Sequence, residues 1–142
     1  MDTRPGTIHN GMRRQLQTWR ETVANRGLRL GWKTGFTVPA DQQRLQLPCA
    51  MVGFLSRERC YRSGDHYQPP AGAVLLVEPE VALQMGADVP AGASTEQALA
   101  AIVAYRAALE LVDTTRSVDD DMAAMLAGNL FHAGVVLADT AL

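Results

Sequence analysis

Two glutamates placed two residues apart inside an apolar run constrain this chain more than any other feature. The stretch Ala73-Val74-Leu75-Leu76-Val77-Glu78-Pro79-Glu80-Val81-Ala82-Leu83 reads as a strand. A side-chain period of two puts Glu78 and Glu80 on one face, about 7 Å apart at Cα, and Val77, Pro79 and Val81 on the other. Two like charges side by side in a buried strand are costly, and proton sharing or a bound cation relieves the cost. The alternative is an exposed edge strand, because Pro79 has no N–H to donate to a ladder and proline marks sheet edges.

The rest of the sequence bounds what such a strand belongs to. A chain of 142 residues, 47% of them hydrophobic, can form one compact domain over residues 1–142 but is short for two. A net charge of -2 gives no basic footprint, so no nucleic-acid partner is expected. The opening Met1-Asp2-Thr3-Arg4-Pro5-Gly6 lacks the apolar core of a signal peptide, and no apolar run approaches membrane-spanning length. A cytoplasmic protein with no membrane partner is expected, with Cys49 and Cys60 as reduced thiols.

Of the 13 basic residues, 12 are arginine and one, Lys33, is lysine. Arginine stays protonated in proteins, whereas burial can tune a lysine amine to exchange a proton near neutral pH. Either an arginine-biased genome left one lysine by chance, or Lys33 is chemical.

Local pattern predicts a mixed α and β chain with two helices and five or six strands. Ile8, Met12, Leu16, Trp19 and Val23 recur at helical spacing, which predicts an amphipathic helix over 8–26 with Thr7 as N-cap, Gly27 as stop and the stripe in a core. Residues 28–37 predict a strand in which Gly31 and Gly35 flank Lys33 and permit close approach by a neighbour or ligand. A polar, glutamine-rich 39–48 reads as a short helix or loop, and 49–70 as loop with short strands. Ser94 with Gln97 forms a capping box for a helix through Arg106, after which 108–113 turns to strand. Ser117 with Asp119, Asp120 and Asp121 reads as a solvated acidic helix start, and 131–138 as an apolar strand.

Glu78, Glu80 and Glu110, on two strands, form a candidate hard-oxygen site. Carboxylates without cysteine or clustered histidine favour Mg²⁺ or Mn²⁺ over zinc. Such a cation would polarise a keto or enol oxygen and stabilise an enolate, with Lys33 as a proton carrier. Other catalytic schemes are weaker. Neither cysteine has a histidine at a recognisable spacing, Ser56 and Ser63 sit in no nucleophile elbow, and His9, His66 and His132 are scattered and read as surface or core residues.

The order Gly31-Trp32-Lys33-Thr34-Gly35-Phe36-Thr37, Val77-Glu78-Pro79-Glu80-Val81-Ala82-Leu83, then Ala108-Leu109-Glu110-Leu111-Val112-Asp113 resembles the 2-keto-4-pentenoate hydratase and 4-oxalocrotonate decarboxylase group of the fumarylacetoacetate hydrolase superfamily. The resemblance runs from about Gln15 to Leu137. It implies an α+β fold, a partial mixed β-roll with flanking helices, comprising the N-terminal helix and a hydratase-like core over about 28–142. It implies that Glu78, Glu80 and Glu110 bind a divalent metal, Mg²⁺ or Mn²⁺, and that Lys33 is catalytic. Gly53-Phe54-Leu55 matches the family's Gly-x-Leu turn and puts Glu58 in the site, where the family usually has aspartate. The stretch Ala127-Gly128-Asn129-Leu130-Phe131-His132 is similar to the family's asparagine-containing segment, with Gly128 in place of a common aspartate. Arg116 loosely matches a family arginine.

Members of the family continue for a second half that completes the roll, so the resemblance implies a truncated member. An unpaired apolar edge invites another chain, and the expected partner is a second copy or a separately encoded complementary half. The expected activity is that of a metal-dependent lyase, a hydratase or decarboxylase acting on a 2-keto or 2-hydroxydienoic acid through a metal-stabilised enolate. An isomerase or cyclase using the same site, and a non-catalytic subunit pairing with a complementary half, are the alternatives.

Overall fold

The computed structural model describes residues 5–115 and 122–141. Arg116 and the acidic run Ser117, Asp119, Asp120 and Asp121 lie outside them. Among the described residues there are four α-helices and six strands, in two sheets.

Helix α1 (Pro5–Trp19) runs on into a π-helical turn at Arg20–Ala24, where the Asn25 N–H donates to the Arg20 carbonyl five residues back. Gly27, at φ +68°, then turns the chain away, as a helix-ending glycine does. The helix begins earlier than the apolar spacing predicts, and its most buried positions are Gly11, Gln15 and Val23. Both unexpected positions serve the contact with α4 (Met122–Ala127). A Cβ on Gly11 would lie 2.8 Å from the Leu126 Cβ and 2.9 Å from the Ala123 Cα, so the backbones touch there. Gln15 Nε2 donates to the Leu126 carbonyl at 2.8 Å, which serves an acceptor that a helix leaves unpaired at its C-terminal end.

The core lies at this helical end. Leu47, Met51, Met122, Met125, Leu126 and Leu130 are buried together, with Ile8, Met12, Phe36, Leu45 and Phe131 packed against them. Helix α2 (Pro39–Leu45) supplies one wall. Strands β1 (Arg29–Gly35) and β2 (Met51–Ser56) form an antiparallel pair that places Lys33 opposite Gly53.

The second sheet has the order β3-β6-β5-β4. Strand β3 (Cys60–Arg62) is parallel to β6 (His132–Leu137), and β5 (Ile102–Asp113) runs antiparallel to β6 and to β4 (Leu75–Met85). Strand β4 is therefore an edge strand, the position Pro79 tolerates.

The helix predicted through Arg106 is corrected. Helix α3 (Thr95–Ala100) has the Ser94–Gln97 capping box but stops at Ala100, and β5 starts at Ile102. A six-residue helix is marginal alone. The β-branched and aromatic residues Ile102, Val103 and Tyr105 extend instead the ladder with β4, in which Leu83 faces Tyr105 and Glu78 faces Glu110.

One face of this ladder is apolar and bare. Val77, Val81 and Leu83 on β4 are 54%, 66% and 52% exposed, and Val103, Tyr105 and Leu109 on β5 are 62%, 45% and 41% exposed. The opposite face carries Glu78, Glu80 and Glu110. Cys49 and Cys60 are free thiols, and no helix among the described residues is long and apolar enough to cross a membrane.

Candidate metal centre

Strand pairing brings the three carboxylates together. Glu78 and Glu110 are direct partners across β4 and β5, and Glu80 is two residues along the same face. One carboxylate oxygen from each lies within 4.8 Å of the others. Glu78 and Glu80 are exposed, whereas Glu110 is 5% exposed.

Lys33 reaches the same place from the other sheet. Its ammonium is ion-paired with Glu110 Oε1, and its side chain is only 11% exposed. The path it takes explains Gly53. A Cβ there would sit 3.0 Å from the Lys33 Cγ and Cε and 2.8 Å from Asn129 Oδ1, so the missing side chain is the corridor through which the lysine crosses β2. Asn129 fixes that strand from the far side. Its Oδ1 accepts from the Phe54 N–H at 2.8 Å and its Nδ2 donates to the Phe54 carbonyl at 2.9 Å, so the amide pairs with a strand residue as a neighbouring strand would.

Glu110 has a further partner that sequence reasoning missed. His132 Nδ1 lies 2.8 Å from Glu110 Oε1, with the His132 side chain 1% exposed. A carboxylate only accepts, so Nδ1 carries the proton in this bond and fixes the tautomer. His132 is thus a core histidine, as its sequence context suggests, but one anchored to the site. Burial raises the Glu110 pKa, yet the hydrogen bond from His132 and the adjacent Lys33 ammonium outweigh it and hold the carboxyl below the usual glutamate range. Glu80 goes the other way. Desolvation, then repulsion from Glu110 and Glu78, push it up against the pull of Lys33.

Glu58 is placed differently. It sits in a 3₁₀ turn after β2, about half exposed, with its carboxylate bonded by Arg26 at 2.6 and 3.3 Å. The structure pairs it with that arginine, not with Lys33 or the carboxylate trio. It lines a cleft of about 700 Å³, together with Thr22, Ser56, Tyr61, Tyr67 and His132. His132 therefore belongs both to the cleft wall and to the Glu110 cluster.

Two solved structures of 4-oxalocrotonate decarboxylase from Pseudomonas putida G7 superpose on this chain. The one complexed with magnesium and adipate has a TM-score of 0.77 at 18% identity, covering 94% of this chain and 52% of that one. The one complexed with calcium and acetate has a TM-score of 0.75 at 19% identity, covering 94% and 51%. The chain has the fold of half a 4-oxalocrotonate decarboxylase. At such low identity the likeness is one of fold, and it agrees with the α+β partial roll expected from the sequence. The chain spans about half the length of the decarboxylase. No family model matches the sequence, and no curated protein matches it.

Proposed function

We propose that this chain carries the metal and lysine half of a lyase acting on a 2-keto or 2-hydroxydienoic acid. The observation that carries the proposal is the convergence of Glu78, Glu80 and Glu110 with Lys33 bonded to one of them. Three carboxylates against one ammonium leave two negative charges uncompensated, the charge of one divalent cation. The donors are all hard oxygens with no thiolate, which suits Mg²⁺ or Mn²⁺. A cation of that kind supplies Lewis-acid polarisation of a substrate's 2-oxo oxygen.

The chain's own groups do the rest. Glu110 holds the Lys33 amine beside the trio, so Lys33 Nζ donates a proton to substrate and takes one back. Asn129 and Gly53 hold the strand that the lysine crosses. Glu58, at the cleft, serves as a second proton carrier once a substrate displaces Arg26. The decarboxylase neighbours, described with magnesium or calcium bound, support a metal-dependent reading.

Isothermal titration with Mg²⁺ and Mn²⁺, on wild type and Glu78→Ala, tests the metal. Binding by wild type alone is expected, and binding by neither removes the proposal. The lysine is tested by the absorbance of an enol acid. Turnover unchanged in Lys33→Arg would take Lys33 out of the chemistry.

A second reading is favoured by the bare apolar face of β4 and β5, where Val77, Val81, Leu83, Val103, Tyr105 and Leu109 stand exposed side by side, since exposed apolar patches mark interaction sites. In it the chain is a subunit that acts only with a partner, either a second copy or a complementary half. Multi-angle light scattering distinguishes them: a homo-oligomer supports the first and a monomer the second.

A further inference from the structure

Glu110 Oε1 accepts two hydrogen bonds, one from the Lys33 ammonium and one from His132 Nδ1 at 2.8 Å. An oxygen with two lone pairs is then fully occupied, and only Oε2 is left to meet a cation. The donors that hold Oε1 are themselves fixed. Lys33 runs through the corridor over Gly53, and His132 is locked in β6 with its side chain 1% exposed. A buried carboxylate held by two buried donors cannot swing to present both oxygens.

We infer that His132 is a positioning residue which limits Glu110 to one free oxygen and thereby sets the centre's preference for a small octahedral dication over calcium. Calcium takes six to eight oxygens and readily uses carboxylates in bidentate fashion, whereas Mg²⁺ accepts single oxygens and keeps its waters. The inference rests on the metal reading above and goes further, in naming the residue that sets the choice between Mg²⁺ and Ca²⁺.

The test compares Mg²⁺ and Ca²⁺ affinities by calorimetry in wild type, His132→Asn and His132→Gln, each first checked for an intact fold by circular dichroism and thermal melting. The asparagine amide nitrogen falls where Nδ1 sits and can still donate to Oε1. The glutamine amide reaches past it. Wild type and His132→Asn are expected to prefer Mg²⁺ by similar ratios, while His132→Gln loses about tenfold of that preference, within the range that mutation of groups supporting metal ligands produces. His132→Phe, which removes the donor altogether, is expected to lose at least as much.

If wild type binds both ions and all folded variants share one ratio, the inference falls and the metal reading stands. If wild type binds neither ion, both fall. A loss of preference in His132→Asn equal to that in His132→Gln also overturns the inference, because volume rather than the hydrogen bond would then be setting the ratio.

Discussion

Glu110 and Glu78 face each other across two paired strands, and almost nothing else about them is alike. Glu110 is buried, held by a lysine from one sheet and a histidine from the neighbouring strand. Glu78 stands on the free edge of the sheet, exposed along with Glu80. The sheet delivers both carboxylates to one place, but the core fixes only one of them. Folding holds Glu110 in place, whereas Glu78 and Glu80 stand in solvent.

The comparison can be broken first at Glu110 itself. Glu110→Ala strips the acceptor from a buried ammonium and a buried histidine, and a loss of about 3–5 kcal/mol in urea denaturation is expected, as when one partner of a buried pair is removed. Glu78→Ala should move stability by under about 0.5 kcal/mol, as exposed substitutions do. Equal losses would show that the two carboxylates are equally built into the fold.

Cation binding should narrow the gap. At a free concentration of about 100 times Kd, Mg²⁺ is expected to stabilise wild type by about 2.7 kcal/mol through mass action. A double Glu78→Ala, Glu80→Ala variant should gain nothing, as read by the shift in thermal midpoint. Next in size is Gly53→Ala, which puts a methyl against the lysine corridor and the Asn129 amide. About 1–3 kcal/mol of destabilisation is expected from that overpacking, with weaker Mg²⁺ binding.

The smallest effects are those of pH on the metal-free protein. Glu110 is held below the ordinary glutamate value, so its contribution is complete above the unfolded value of about 4.3 and disappears as pH falls through the folded one. The acid limb of a urea-midpoint profile should therefore flatten in Glu110→Gln. Glu80 is raised, so its effect has the opposite sign: stability drops as pH climbs from the unfolded value through the folded one. Glu80→Gln should slightly stabilise the metal-free protein at neutral pH, by a fraction of a kcal/mol for so exposed a group.

Much of this was legible in the residues. The period-two spacing of Glu78 and Glu80 specifies a strand with both carboxylates on one face, but not its burial: the buried strand that makes the pair costly gives way to the alternative that Pro79 offers, an exposed edge. The solitary lysine between glycines marks β1, and the apolar stripe of α1 finds the helix, though not its Gly11 and Gln15 contacts. Those depend on α4, which local periodicity cannot see. The boundary of α3 was misread because a capping box states where a helix starts, while the ladder with β4 decides where it stops. The sequence places His132 only as a surface or core residue, because its partner Glu110 is on another strand and a bulge between Leu111 and Val112 sets which residue faces it. Gly53 looked like a turn glycine, and its use as a passage appears only when Lys33 is seen crossing it.

The segment between α4 and β6 carries a consequence of its own. Asn129, Leu130 and Phe131 have φ of 61°, 56° and 62°, a run of mirror-image backbone that residues with branched β-carbons resist strongly. Hydrophobicity alone would rate Leu130→Ile as silent, yet at this position the handedness of the chain forbids what its oiliness permits. Tolerance to substitution here is governed by chirality before size, and a mutational scan of the segment should admit glycine and asparagine more readily than isoleucine or valine.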